Sequence, residues 1–150
     1  MADYIDGFAF PVPQHRLSEY QRVAQAVAEI WREHGALDYR EYVGDELTRE
    51  GTGSFIDLVD AKDGEAIVFG WVVFASREER DLANGKVAAD RRMADLIEPL
   101  VEPSNPVFDV ERMAYGGFQS LVRLPNNSTE VAGSMGSLEQ SRRAFLARAE

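Results

Sequence analysis

Two histidines, no cysteine and a thin scatter of serines leave this 150-residue chain few routes to covalent chemistry. His34 is the histidine with a case. It closes an apolar helical stripe, one turn after Trp31 and just ahead of Gly35. A neutral imidazole there serves as general base or ligand, because its unperturbed pKa lies near neutrality. It serves equally well as a core or capping histidine bonding the last helical carbonyls. His34 is therefore a candidate catalytic residue and no catalytic set is assigned, while His15 belongs to a polar, solvated stretch. The two histidines share no ligand spacing, and carboxylates such as Asp38 are near only by chance, so no metal site is expected. Ser54, Ser76 and Ser120 read as strand-start, helix-cap and strand-end residues, with no nucleophile elbow around any of them. Gly51-Thr52-Gly53 and Gly133-Ser134-Met135-Gly136 lack the lysine and the strand–helix setting of a phosphate loop. No cofactor is called for.

Aromatic residues carry the stronger signal. Trp31, Tyr39, Phe69, Trp71, Tyr115 and Phe118 together can line a cavity for a small apolar or aromatic molecule. Asp109 and Arg112, at the entrance of the last strand, would add polar contacts, as would His34. The expected ligand-binding set is thus Trp31, His34, Tyr39, Phe69, Trp71, Asp109, Arg112 and Tyr115. The competing explanation is an aromatic core plus a dimer interface, with Asp109 and Arg112 simply paired.

Formal net charge is −10; residues 123–150 hold four Arg and three Glu, which leaves −11 on residues 1–122. Such a surface repels phosphate backbones and anionic membranes, so neither nucleic acid nor membrane is an expected partner. No apolar run approaches the ~18 residues of a membrane span, and the start has no basic-then-apolar leader, which points to the cytoplasm.

The elements that must position these side chains follow from periodicity. Asp3–Phe10 alternates as a first strand that Pro11 and Pro13 would stop. A helix over 14–34 carries Leu17, Tyr20, Val23, Val27, Ile30 and Trp31 on one stripe, capped by Gly35. Leu37–Val43 reads as a strand with Leu37, Tyr39, Glu41 and Val43 on one face. Ser54–Ala61 reads as a short third strand, joined through a Gly64 turn to the strand Ala66–Ser76. That last strand is apolar on both faces: Ile67, Phe69, Trp71 and Val73 against Val68, Val72 and Phe74. Ser76 with Glu79 forms a capping box for a second helix to about Ala89, and Asp90 caps a further turn or two. Glu111–Val122 is the last strand, where Gly116-Gly117 marks a bulge or a close backbone approach. Residues 123–136 have linker composition, and Ser137 with Gln140 would cap a short closing helix. The expected division is a domain over 1–122 and a linker with that helix over 123–150.

This order makes a ferredoxin-like α+β sandwich, an antiparallel sheet with two helices on one face. The doubly apolar strand then needs cover on its other face. A second copy supplies it most simply, so a symmetric homodimer with sheets packed face to face is expected.

Several motifs resemble the YbaA-like family, a bacterial domain of unknown function. They are Gly7-Phe8 with Pro11-Val12-Pro13, Trp31-Arg32-Glu33-His34-Gly35-Ala36-Leu37, and Val68-Phe69-Gly70-Trp71. Ser76-Arg77-Glu78-Glu79-Arg80-Asp81, Lys86-Val87-Ala88-Ala89-Asp90, Phe108-Asp109 and Arg112-Met113-Ala114-Tyr115-Gly116-Gly117-Phe118 complete the pattern, in order, over about residues 4–122. Arg91 stands where the family pattern usually has Pro, and the pattern ends near Leu124. The resemblance implies a dimeric α+β barrel of ferredoxin-like subunits and brings no established activity. The wider superfamily includes cofactor-free monooxygenases and haem-degrading enzymes, but the second helix here lacks the axial histidine that haem breakdown would need. Two functions remain: a dimer binding a small molecule, in its enzymatic version a cofactor-independent oxidase or isomerase, and a non-catalytic accessory or interaction protein.

Overall fold

The strand that is apolar on both faces, β3 (Glu65–Phe74), lies in the interior of a four-stranded antiparallel sheet. The structure, a computed structural model, describes residues 3–125. Around β3 the chain runs β1 (Tyr4–Pro13), α1 (Leu17–Glu33), β2 (Asp38–Val43), α2 (Phe55–Leu58), then α3 (Arg77–Ala88), α4 (Arg91–Ile97) and β4 (Ala114–Gln119). Strand order is β2-β3-β1-β4, the ferredoxin-like arrangement. Met1–Ser120 and Leu121–Glu150 form two separate units. Sheet and helices belong to the first, and residues 121–125 carry no helix or strand. The closing helix expected after Ser137 lies outside the described residues.

Pairing register sorts the side chains. Tyr4, Asp6, Phe8, Phe10 and Val12 of β1 share a face with Val68, Val72 and Phe74 of β3, since Phe8 pairs with Gly70 and Asp6 with Val72. Phe8, Phe10, Val12, Val72 and Phe74 build the main core there, against which Tyr20, Val23 and Trp31 of α1 pack. Ile67, Phe69, Trp71 and Val73 point the other way.

Two expectations are corrected. First, Pro11 and Pro13 do not stop β1; they pair with Ile67 and Glu65. The Gln14 N–H donates toward β3, to the Gly64 carbonyl at 2.9 Å. By alternation Pro11 and Pro13 turn their missing donors to the opposite edge, where β4 has already ended, since its pairing reaches only Ala9–Ala114. Second, Ser54–Ala61 is not a strand. The Ser54 hydroxyl accepts from the Ile56 N–H at 3.0 Å and caps α2, and Asp60 at φ 49° ends it. Phe55, Ile56 and Val59 share one helical face, while Phe55, Asp57 and Val59 against Ile56 and Leu58 fit a strand, and over so few residues periodicity does not separate the two. The sheet therefore has no strand between β2 and β3. α2 instead lies near the sheet's second face, where Val59 packs with Ala9 and Ile67 in a small separate core.

Candidate functional site

On the helix-facing side of the sheet two carboxylates stand among apolar neighbours. Asp6 is 4% exposed, between Tyr4 and Phe8 on β1. A buried carboxylate needs a partner, and α3 brings it. Ser76 caps α3 by accepting from the Glu79 N–H at 3.1 Å, and the buried Ala83 and Val87 fix its inner face. Arg80, one turn before Ala83, is thereby aimed at the sheet. Its Nη1 donates to Asp6 Oδ1 at 2.7 Å and to the Tyr115 phenol at 3.2 Å, and Nη2 donates to the Tyr4 phenol at 3.3 Å. The guanidinium lies 4.9 Å over the Tyr4 ring and its Nε also reaches Asp81 at 2.8 Å. Gly117, paired with Asp6 across β1–β4, makes this possible: a Cβ there would stand 2.1 Å from the Tyr4 oxygen. The register through Gly116 and Gly117 is unbroken, so the pair marks a close approach and not a bulge.

Glu41 is the second carboxylate. On β2 it alternates in phase with Tyr39, toward the helices, and pairs with Gly70 of β3. The Tyr20 phenol from α1 donates to Glu41 Oε1, and Tyr39 shares its strand face two residues away. Burial raises the Glu41 carboxyl above the ordinary carboxylate range, and the neighbouring phenols of Tyr20 and Tyr39 oppose that rise. Burial, reinforced by the charge of Glu41, pushes both phenols far above their usual value. The tyrosines thus stay protonated and can act only as neutral phenols toward Glu41. Among the described residues, no Lys, Arg or His forms an ion pair with Glu41.

Between the two carboxylates lies a cavity of about 200 Å3. Its walls are mainly apolar, with Phe8, Phe10, Trp31 and Phe108 prominent, and Asp6, Glu41 and Asn84 supply polar groups. β1 and β2 are separated by β3, and Asp6 is offset from Glu41 by one side-chain repeat, which sets the two backbones on the order of 12 Å apart. One polar group therefore stands at each end of the cavity.

The residues expected to form one site divide into four places. Trp31, Tyr39 and Tyr115 line this cavity. Phe69 and Trp71 do not; odd parity on β3 turns them to the opposite face, where Trp71 stacks on Tyr42 at 5.3 Å and Phe69 meets Phe55 edge-on at 5.5 Å. Phe118 is on that second face too, beside a shallow apolar depression of about 400 Å3. His34 lies outside both depressions: its Nε2 is 2.8 Å from Asp90 Oδ2, tying the end of α1 to the capping residue of α4. Asp109 and Arg112 pair at 2.8 Å, and Arg112 forks onto Glu65 at 2.6 and 2.7 Å, clear of the cavity. Asp6, Tyr20, Glu41 and Arg80 were absent from the expected set. The sequence does carry a sign of two of them, a lone carboxylate on an apolar strand face: Asp6 between Tyr4 and Phe8, Glu41 between Tyr39 and Val43.

Topology and register define an α+β protein of the ferredoxin-like class. A crystal structure of a nipsnap family protein of unknown function from Agrobacterium tumefaciens shares this fold, with a TM-score of 0.50 over 82% of this chain and 92% of that one, at 13% identity. The chain itself belongs to the family described as "Protein of unknown function (DUF1428)", whose model matches residues 3–106. It is 34% identical over 119 residues to the uncharacterized protein YbaA of Escherichia coli K12, covering 79% of this chain and 97% of YbaA. The YbaA of Shigella flexneri matches with the same identity and coverage. The relatives in hand thus bear out the YbaA-like resemblance. Among the described residues no helix is long and apolar enough to cross a membrane.

Proposed function

We propose that this protein binds a small, largely apolar or aromatic molecule in the cavity between the sheet and α1, and that it works as a homodimer joined through the second face of the sheet. The observation that carries the ligand reading is Glu41: a part-buried carboxyl group with a phenol donor, Tyr20, on the wall of an aromatic cavity. Ligand cavities are built this way, apolar over most of their surface with a few fixed polar groups. At about 200 Å3 the cavity is below the ~300–1,000 Å3 typical of drug-sized ligands, so its occupant is about one ring with a short chain.

The dimer reading rests on the second face. Phe69 is 41% and Phe118 56% exposed, with Phe55 and Leu58 of α2 also open beside them. Contiguous apolar surface of this kind marks an interaction site, and a second sheet matches its shape. The raised pKa of Glu41 also favours a catalytic version, in which its carboxylate takes a proton from one ligand carbon and returns it to another. That is isomerase-type chemistry and needs no redox partner.

Native mass spectrometry of protein purified gently from its own cells tests both parts. The expected result is a dimer carrying a reproducible small-molecule mass. A dimer at the bare mass, together with no binding in a fragment screen, would refute the ligand reading. A monomer at micromolar concentration would refute the dimer.

A further inference from the structure

We infer that the cavity selects a small molecule bearing a protonated amine, with the ammonium group held by Glu41 and its apolar body among the aromatic rings. This rests on the reading of the cavity as a small-molecule site and names the chemical class of its ligand.

Charge balance carries the argument. At one end of the cavity Asp6 is neutralised by Arg80 at 2.7 Å. At the other, Glu41 has the Tyr20 phenol as its partner and, among the described residues, no cation. A carboxylate has about four lone-pair sites, and Tyr20 occupies one of them. The remaining acceptor capacity suits N–H donors. A part-buried carboxylate facing an apolar cavity with no counter-charge is completed by a cation in that cavity, whereas an anion there would be repelled. The walls agree. Trp31, Phe10 and Phe108 present ring surface to the cavity, and the electron-rich faces of such rings attract an ammonium group as well as packing a hydrocarbon body. The net charge of −10 favours the approach of a cation over that of an anion.

The acidic end does not compete for this role. Asp6 is already paired with Arg80, and the second carboxylate on that arginine, Asp81, is 60% exposed and does not line the cavity, so that end presents no unpaired charge to a ligand. Asn84 is the neutral polar group left on the wall. A ligand with one ammonium and an otherwise neutral body fits; a zwitterion would set its carboxylate against aromatic surface.

Three probes of one shape test this: phenethylamine, 2-phenylethanol and 3-phenylpropanoate, titrated into the full chain at pH 7 with binding followed by calorimetry and protein NMR up to millimolar concentration. The expected order is amine, then alcohol, then carboxylate, with the amine favoured over the alcohol by on the order of tenfold. Glu41→Gln should bring amine and alcohol within about threefold of each other while leaving alcohol binding in place, and Tyr20→Phe should reduce the preference in part. Equal binding of amine and alcohol by the unaltered protein would overturn the amine assignment and leave the cavity as a ligand site. A full amine preference in a folded Glu41→Gln variant would overturn it too. No binding of any of the three would overturn the cavity reading itself, and the amine assignment with it. The comparison among probes uses the unaltered chain, so it decides even where a variant fails to fold.

Discussion

Replacing Arg80 with Ala should be among the most damaging single changes in the domain, and more damaging than replacing its partner Asp6 with Asn. Asp6 is 4% exposed and the Arg80 side chain 12%, so water repairs little of what is lost. Arg80→Ala leaves a charged carboxylate buried without its cation, which costs about 3–5 kcal/mol. It also removes the guanidinium from the Tyr4 ring, worth about 1 kcal/mol. Asp6→Asn keeps the shape and leaves Arg80 its bond to Asp81, which is 60% exposed and hydrated. That change removes one charged hydrogen bond, about 1.5–3 kcal/mol. Against a typical domain stability of ~5–15 kcal/mol, the Arg80 variant should be marginal at room temperature. Urea unfolding followed by circular dichroism gives both losses, provided the slope against urea is unchanged. The double variant Asp6→Asn with Arg80→Ala should be about 2 kcal/mol less damaged than the two single losses added. A loss below about 1 kcal/mol for Arg80→Ala is the value of an exposed pair, and would refute the claim that this pair holds α3 to the sheet.

Other consequences follow from the same contacts. Gly117→Ala would drive its Cβ into the Tyr4 phenol and Gly70→Ala into the Arg40 carbonyl at 2.6 Å. Both should lower the unfolding free energy measured in urea by roughly 1–3 kcal/mol, Gly70→Ala more, because backbone yields less than a side-chain tip. Arg112, followed by burial acting the other way, determines the Glu65 carboxyl: the guanidinium fork holds it below its ordinary range. A depressed folded pKa contributes stability above the unfolded value of about 4.3 and loses it as pH falls below that. Glu65→Gln should therefore flatten stability against pH between about pH 5 and 2, seen as urea midpoints across a pH series. His34→Gln should lower Tm by a few degrees through loss of the α1–α4 tie, and leave the affinity of any cavity ligand unchanged by titration. Phe118→Asp, on the second face, should convert the dimer to monomer by light scattering without loss of helical signal.

Much of this molecule is legible in its sequence because local chemistry decides it. The α1 stripe and its Gly35 cap, at φ 121°, follow from spacing and from the one residue type at ease there. So do the Ser76 cap of α3 and the two apolar faces of β3. Even the split of the aromatics was present as parity. Phe69 and Trp71 are odd on a strand whose even residues face the helices, and only grouping them by type put them with Trp31 and Tyr39. The four residues of α2 were ambiguous because a short apolar run fits two periods. Tertiary structure alone decided the site. Arg80 reaches Asp6 across 74 residues and Tyr20 reaches Glu41 across 21, and nothing in a local window selects those partners. Periodicity states which way a side chain points from its own element; which charge meets which is settled by the packing of α1 and α3 on one sheet, where burial makes an unpaired carboxylate costly.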